Sequence, residues 1–452
     1  MFNYRVGLEG MDLLKILDVL VGFNTVNDPA NGRYPDPGVV DFVDGVLSGL
    51  GVRTRVLVSR GYRSIVGVVG SGSEPRVLVL AHLDVVPFIR DEWRYDPLSL
   101  TVEGDLAYGR GALDDKGNAA AVLVAVEGLI KGGFGGTLVV AFTTDEETGG
   151  WDGARVVRDY LLSNGLRPNY VINADGNSMV IINRRRAVFN VAVRSGVRRV
   201  FVNGRRETVR FRLDYKVVPP YHAAYFIGGV DSHPLVVLAQ YLWVNNAYLV
   251  GVRGGFVKSN VTPTWVEADI VTPCGGCPSQ EVDVGLTELI KALLPLTRFV
   301  PRVKAQSVFG VTAVPNVYRL VGDRHEVIIN VRAMTDDAKA IEEAVINALR
   351  EDFPDLEVRV EGEGGGYLYT PRDSRLVRLA SEVLTELGLD ARVVEMAGAS
   401  DARYFSPLGI ETIDFGPIGG NHHGPNEYVS VKSLGLTAKF YEELIRRLLM
   451  KV

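Results

Sequence analysis

One run constrains this chain more than any other: Val77 to Val86, VLVLAHLDVV, almost wholly apolar yet carrying His82 and Asp84 near its end. A strand wetted on one face alternates apolar and polar residues. A run that is apolar at both parities is a strand covered on both faces, as in a parallel sheet flanked by helices. Side chains two residues apart on a strand share a face, so His82 and Asp84 point the same way. The end of such a strand is where open α/β sheets place their sites. A lone core histidine is usually just a satisfied one. A carboxylate beside it changes the reading, because that pairing fixes the tautomer and strengthens the ring as a metal ligand.

The rest of the chain extends this pattern. Leu13, Ile16, Leu17 and Leu20 share one helical face. Ala119 to Ile130 reads as a buried helix stopped by Gly132 and Gly133, Thr137 to Thr144 as a second buried strand, and Tyr170 to Ala174 as a third. The β–α–β–α order predicts an α/β domain on a mostly parallel sheet with helices on both faces. Near Arg184 the character changes. Val209, Phe211, Leu213, Tyr215 and Val217 alternate with Arg210, Arg212, Asp214 and Lys216, which predicts a strand with one wet face, and Asn203-Gly204 reads as a hairpin turn. Glu326 to Arg332 gives a second such strand. Residues 184–363 are therefore expected to form an inserted α+β domain on an antiparallel sheet, between parts 1–183 and 364–452 of the first domain. The second part carries a helix with Leu376, Leu379, Val383 and Leu387, a short strand at Arg392 to Glu395, and a closing helix with Leu436, Phe440, Leu444 and Leu448.

Composition narrows the class. With 47% apolar and 23% charged residues the chain holds ample core, and two Cys support no disulfide network. A net charge of −5 gives no general attraction to nucleic acid or an anionic membrane. No apolar run reaches the roughly 18 residues of a membrane span, and no basic region followed by an apolar run opens the chain, so a cytoplasmic enzyme is expected.

Four further motifs follow His82-Leu83-Asp84. They are Tyr108-Gly109-Arg110-Gly111-Ala112-Leu113-Asp114-Asp115-Lys116-Gly117, Thr144-Asp145-Glu146-Glu147-Thr148-Gly149-Gly150, Asn173-Ala174-Asp175-Gly176 and Asn421-His422-His423-Gly424-Pro425-Asn426-Glu427. The steps from His82 to Asp114, Glu147 and Asp175 are each close to one βαβ unit of roughly 30 residues. Successive units can therefore deliver one ligand each to the same sheet edge. The chain has only 6 His, and three of them fall in these motifs. Histidine nitrogens with several carboxylates suit zinc, and a shared carboxylate gives a two-metal site.

In these motifs, their order and the intervening Trp93, Asp96-Pro97, Gly104 and Tyr108-Gly109-Arg110-Gly111, the chain resembles the cocatalytic zinc peptidases. That family includes acetylornithine deacetylase, succinyl-diaminopimelate desuccinylase, aminoacylase, carnosinase and bacterial β-alanyl dipeptidases. The resemblance implies two Zn2+ ions, with Co2+ or Mn2+ as substitutes. His82 and Asp175 would hold the first, Glu147 and His423 the second, and Asp114 would bridge them, followed by a cis peptide to Asp115. His422 is the alternative to His423, which stands three residues before Asn426, as the ligand does in the family. Asp84 would orient His82, and Glu146 would be the general base on a metal-bridging water. The insert would be a lid, through which members of the family often form dimers. In it His222, within Pro220-Tyr221-His222-Ala223-Ala224-Tyr225, would reach the substrate carbonyl, and Asn316 and Arg332 would hold the substrate carboxylate. The wording around Asn316 departs from the family's. Ser400, in Gly398-Ala399-Ser400-Asp401-Ala402-Arg403, would line the substrate pocket. Asp at position 175 rather than Glu favours dipeptides or short peptides over N-acyl amino acids. A catalytically silent binding protein of the same fold is the remote alternative, and it would be expected to lack ligands that are present here.

Three signals are discounted. Cys274-Gly275-Gly276-Cys277 has redox spacing but lies in a Pro/Gly-rich loop, so a local disulfide or two free thiols are expected. Arg184-Arg185-Arg186 and the arginines up to Arg212 read as solvated strand faces. His233 and His325 have no chemistry-bearing neighbours in sequence.

Overall fold

In the computed structural model, which describes residues 10–70, 72–214, 222–361 and 365–450, the apolar run becomes the strand Arg76–His82 in the middle of a nine-stranded sheet. It pairs in parallel with Thr137–Thr143 on one side and Tyr170–Asn173 on the other. Tyr170–Asn173 pairs in parallel with Glu411–Asp414. Arg53–Ser59 and Tyr62–Gly70 extend one edge as an antiparallel hairpin. At the other edge Ile181–Arg185 pairs antiparallel with Glu411–Asp414 and Leu368–Tyr369, and in parallel with Val393–Met396.

Both parities of the central strand are buried, each in its own core. Val77, Val79 and Ala81 pack with the helices Leu13–Gly22, Gly38–Gly49, Lys116–Gly132, Arg375–Glu386 and Val431–Leu449. Leu78 and Leu80 pack with Ala154, Val157 and Leu161 of the helix Ala154–Ser163, and with Tyr404 and Phe405. Each such side chain contributes ~1.5–3 kcal/mol by leaving water, which is why polar residues are excluded until the strand ends at His82. The helices Lys116–Gly132 and Val431–Leu449 are joined at Tyr441, whose hydroxyl donates to Asn118 Oδ1 at 2.8 Å and to the Phe415 carbonyl at 2.7 Å. A small antiparallel sheet links Thr101–Glu103, Leu106–Tyr108, Tyr428–Ser430 and Gly419–Gly420. It brings the chain around His423 beside the chain leading to Asp114.

The chain divides into two units. The first ends at Arg185 and resumes with Leu368–Met396 and from Ser400 on; the second is Arg186–Tyr367 with Ala397–Ala399. The second unit holds a four-stranded antiparallel sheet in the order Thr312–Val321, Arg324–Ala333, Ala187–Gly196, Glu357–Glu361. It also holds a closed ring of four strands, Arg199–Arg212, Trp265–Pro273, Tyr248–Gly254 and Ser279–Asp283. One core unites both sheets with the helices Pro234–Val244, Val284–Lys291 and Ala338–Leu349.

Several local expectations change here. Asn203-Gly204 is no hairpin turn but lies inside the long strand Arg199–Arg212. Up to Asn203 that strand pairs with Ser279–Asp283, and from Gly204 with Trp265–Pro273. The glycine is needed for close approach, since a Cβ there would sit 2.5 Å from Val271 Cγ1 and 2.7 Å from the Thr272 carbonyl oxygen. Arg324–Ala333 has no wet face, because Arg194 and Arg319 neutralise the buried Glu326. Arg185 and Arg186 are buried rather than solvated. Arg185 pairs with Asp414, and Arg186 donates to the carbonyls of Gly310 and Ala224 and to Thr312. Cys274 and Cys277 form a disulfide. Tyr215, Lys216, Val217, Pro220 and Tyr221 lie outside the described residues.

Candidate metal centre

The sequence motifs converge at the ends of the parallel strands of the first unit. His82 closes its strand, Asp175 follows Tyr170–Asn173, and Glu146 and Glu147 sit in a single 3-10 turn directly after Thr137–Thr143. Asp114 precedes the helix Lys116–Gly132, and its peptide bond to Asp115 is cis. His422 and His423 lie in a loop where Asn421, His423 and Asn426 all take positive φ, between 56° and 59°. This is a left-handed conformation that asparagine and histidine tolerate better than most residues.

Asp114 stands at the centre. Its Oδ1 is 3.0 Å from His82 Nε2, and its Oδ2 is 3.0 Å from His423 Nε2 and 2.6 Å from His422 Nε2. Each carboxylate oxygen thus faces a different histidine, the disposition of a bridging ligand. The two adjacent rings stack at 4.0 Å, but of the two only His423 is recorded against Glu147, at 3.3 Å from Oε2. That favours His423 over His422 for the second position. Ligand atoms of His82, Asp114, Asp115 and Asp175 lie within 4.8 Å of one another, as do those of Asp114, His422 and His423. Asp115 is spoken for: it accepts from the His82 amide at 3.0 Å and from Asn118 at 2.8 Å.

Hydrogen bonds around this cluster fix its shape. His82 Nδ1 donates to the Asp84 carbonyl at 3.0 Å, with the Asp84 carboxylate 3.4 Å away, leaving Nε2 toward Asp114. The fully buried Asp84 carboxylate accepts the amides of Glu146 and Glu147, each at 3.1 Å, and Asn27 at 2.8 Å. It therefore holds the acidic turn against the histidine strand. Glu427, also fully buried, accepts the amides of Gly111, Leu113 and Asp114 at 2.9–3.1 Å and pairs with Arg110 at 2.6 Å. Arg185, paired with Asp414, donates to the Asp175 carbonyl at 3.0 Å.

Electrostatics describe a site crowded with negative charge. Burial pushes Glu146 up to about 8, helped by Asp401 and opposed by His82 and Arg403. Burial and then Glu146 push Asp175 well above the carboxylate range. Burial works against charge on His82, yet Asp114, Asp115 and Asp84 raise its pKa well above the usual histidine value. For His423, Glu147 and Asp114 likewise outweigh burial and raise it to about 11. The buried Glu147 Oε1 has no hydrogen-bond partner. Excess carboxylate charge, an orphaned carboxylate oxygen and histidine nitrogens turned inward suit a pair of divalent cations. The donor set fits.

The other expected residues have the following partners. Ser400 is buried and donates to Asp414 at 2.8 Å. In the second unit, Asn316 donates to the Ser259 carbonyl at 2.6 Å, and His233 approaches its Oδ1 at 3.4 Å. Arg332 donates to Asn330 and to the Ala397 carbonyl, and burial lowers its pKa to about 9. His222 accepts from the Ala224 amide at 3.1 Å. His325 has neighbours that sequence proximity does not reveal: Asp283 at 2.9 Å and Tyr318 at 3.0 Å. Sequence reasoning missed Asn27, Arg185, Asp401, Arg403 and the charge-holding role of Glu427. For Asp401, Arg403 and Glu427 the signal available was a charged residue inside a quoted motif, with no sign of its partner; for Asn27 and Arg185 no motif supplied one.

Among the described residues no helix is long and apolar enough to cross a membrane. The chain matches Peptidase family M20/M25/M40 over residues 78–447. Curated relatives include the succinyl-diaminopimelate desuccinylase of Xanthomonas euvesicatoria, 26% identical over 84% of this chain and 86% of that protein. That of Bordetella parapertussis is also 26% identical, over 89% and 91%. In fold the chain is similar to aminoacylhistidine dipeptidase from Vibrio alginolyticus (TM-score 0.73, 15% identity, 97% of both chains). It is also similar to human carnosine dipeptidase 1 (TM-score 0.56, 16% identity, 96% of both). The clustered histidines and carboxylates, on this fold and within this match, make the chain a member of Peptidase family M20/M25/M40, a hydrolytic enzyme acting on amide bonds.

Proposed function

We propose that the enzyme is a zinc-dependent dipeptidase or aminopeptidase that cleaves dipeptides or short peptides bearing a free amine. The observation that carries this reading is Asp175, a short carboxylate beside His82 and Asp114, at the position where the deacylases and carboxypeptidases of the family tend to carry Glu. His82, Asp114 and Asp175 would hold one ion, and Asp114, Glu147 and His423 the other. When bound, the two ions supply Lewis-acid polarisation of the amide carbonyl and of the attacking water. Glu146 takes the proton of that water and returns it to the leaving amine. Asp84 keeps Glu146 and Glu147 in register through their amides. Substrate binding is proposed for His222, Asn316, Arg332 and Ser400, and a cytoplasmic homodimer associating through the inserted unit belongs to the same proposal.

A second reading, an N-acyl-amino-acid deacylase, is supported by the desuccinylase relatives. Matched panels of free-amine dipeptides and N-acyl amino acids, including N-succinyl and N-acetyl members, separate the two on one zinc-loaded preparation. Preference for the dipeptides by tenfold or more in kcat/KM upholds the first reading. Preference for the acyl panel replaces it with the second and leaves the metal centre standing.

A further inference from the structure

The Glu146 carboxylate has one ion pair among the described residues. Arg403 Nη2 lies 3.6 Å from its Oε1, and the same nitrogen lies 3.9 Å from Asp401 Oδ1. Both partners are largely shielded, with side-chain exposures of 13% for Arg403 and 2% for Asp401. The guanidinium is itself held. Its centre sits 5.4 Å from the centroid of the Tyr404 ring, and the Tyr404 hydroxyl donates to the Gly149 carbonyl at 2.5 Å. Asp401 Oδ2 is within 3.4 Å of the Thr143 hydroxyl at the end of the strand that leads into the acidic turn. The segment Asp401–Tyr404 is thus fastened both before Glu146, at Thr143, and after it, at Gly149.

This fastening matters because a glutamate side chain has three rotatable bonds, and the Asp84 contacts fix only the backbone amide of Glu146. A base displaced by about 1 Å can cost on the order of a hundredfold in rate. A guanidinium on one carboxylate oxygen leaves the other oxygen to meet the water.

We propose that Arg403 is a positioning residue for the general base, holding the Glu146 carboxylate in its working orientation while Asp401 and the Tyr404 ring hold the guanidinium. The inference rests on the reading of Glu146 as the base.

The test compares the metal-loaded wild type with Glu146→Gln, Arg403→Met, Arg403→Lys and the double variant Arg403→Met/Asp401→Asn, which removes the Asp401 charge that the guanidinium otherwise balances. Measured for each are kcat, KM, bound metal per chain and Tm. The expected result is a kcat lower by about a hundredfold in both Arg403→Met backgrounds, with KM and metal content within threefold of wild type. In Arg403→Lys at least tenfold of that loss should return. If Arg403→Met proves too unstable to assay, the double and lysine variants carry the comparison. A kcat within threefold of wild type in the methionine variants, alongside an inactive Glu146→Gln, overturns the positioning role and leaves the base reading intact. A raised KM at unchanged kcat overturns it too and assigns Arg403 to substrate binding. An active Glu146→Gln removes the base reading itself, independently of Arg403.

Discussion

At the scale of single residues, the candidate site is framed by buried charges outside the proposed ligand set. Asp84 accepts two backbone amides and Asn27, so Asp84→Asn replaces one acceptor oxygen by a donor that faces another donor. The expected outcome is a ten- to hundredfold loss of metal affinity, read by competition with a chelator, at nearly unchanged far-UV CD. Glu427→Gln leaves Arg110 buried without its charge partner, and breaking such a pair costs about 3–5 kcal/mol. Denaturant melts should show that loss, together with weaker metal retention, because the glutamine NH2 must face either Arg110 and the Gly111 amide or the amides of Leu113 and Asp114. His233 gives a pH effect with a definite sign. It is buried, and its Nδ1 accepts the Leu235 amide at the start of the helix Pro234–Val244, so its pKa is lowered from 6.5 to about 3. The unfolded chain therefore takes up the extra proton. The stability that neutral His233 provides is complete above its unfolded pKa and is lost progressively as pH falls towards about 3. Between pH 6 and pH 5 the wild type should lose ~1 kcal/mol more than His233→Asn, which retains a capping oxygen. The clustering of His82, Asp114, Asp175 and His423 was legible in the sequence because histidine and acids are rare at the ends of apolar strands. Arg185 and Arg186 were not, because nothing in Arg184-Arg185-Arg186 says that Asp414, far along the chain, will bury one of them.

At the scale of elements, the strand ends are packed as tightly as the residues they present. Gly176, just after Asp175, and Gly416, just after the strand Glu411–Asp414, lie back to back. A Cβ on Gly176 would sit 2.5 Å from the Phe415 carbonyl carbon, and one on Gly416 would collide with the Gly176 carbonyl oxygen. Overpacking of this kind typically costs 1–3 kcal/mol. Gly176→Ala is therefore expected to lower stability by about that amount and to weaken metal binding as Asp175 shifts, whereas Gly45→Ala, in open space on a helix, should do neither. Elements with one uniform pattern were readable from sequence: the buried strands, the helix at Lys116–Gly132 and the closing helix all lie within a few residues of where periodicity puts them. The failures share a cause. Alternation in Glu326 to Arg332 predicts a wet face, but Arg194 and Arg319, from neighbouring strands, supply the charges that let Glu326 be buried. Asn203-Gly204 carries turn chemistry but serves as the point where one strand changes partners, and only the tertiary pairing distinguishes the two.

At the scale of the whole molecule, the two units have separate hydrophobic cores, and every proposed ligand belongs to the first. Metal stabilises only what binds it, by RT ln(1 + [L]/Kd), or about 2.7 kcal/mol at a hundredfold excess over Kd. Calorimetry of apo and zinc-loaded protein should therefore move the melting of the first unit upward with zinc and leave that of the second in place. Equal shifts of both would show that the units unfold as one. The sheet of the first unit also has an order in time. The strand Glu411–Asp414 is wedged between Tyr170–Asn173 and Ile181–Arg185, so a ribosome making this chain finishes both walls of a slot long before the strand that fills it. At roughly 5–20 residues per second the slot stays open for tens of seconds while residues 186–410 are made, with the backbone edge of Tyr170–Asn173 exposed to any passing strand. Nascent chains released early would then be the ones that need a chaperone, and the second unit, folding meanwhile as an insertion, would shorten the distance over which the missing strand must search.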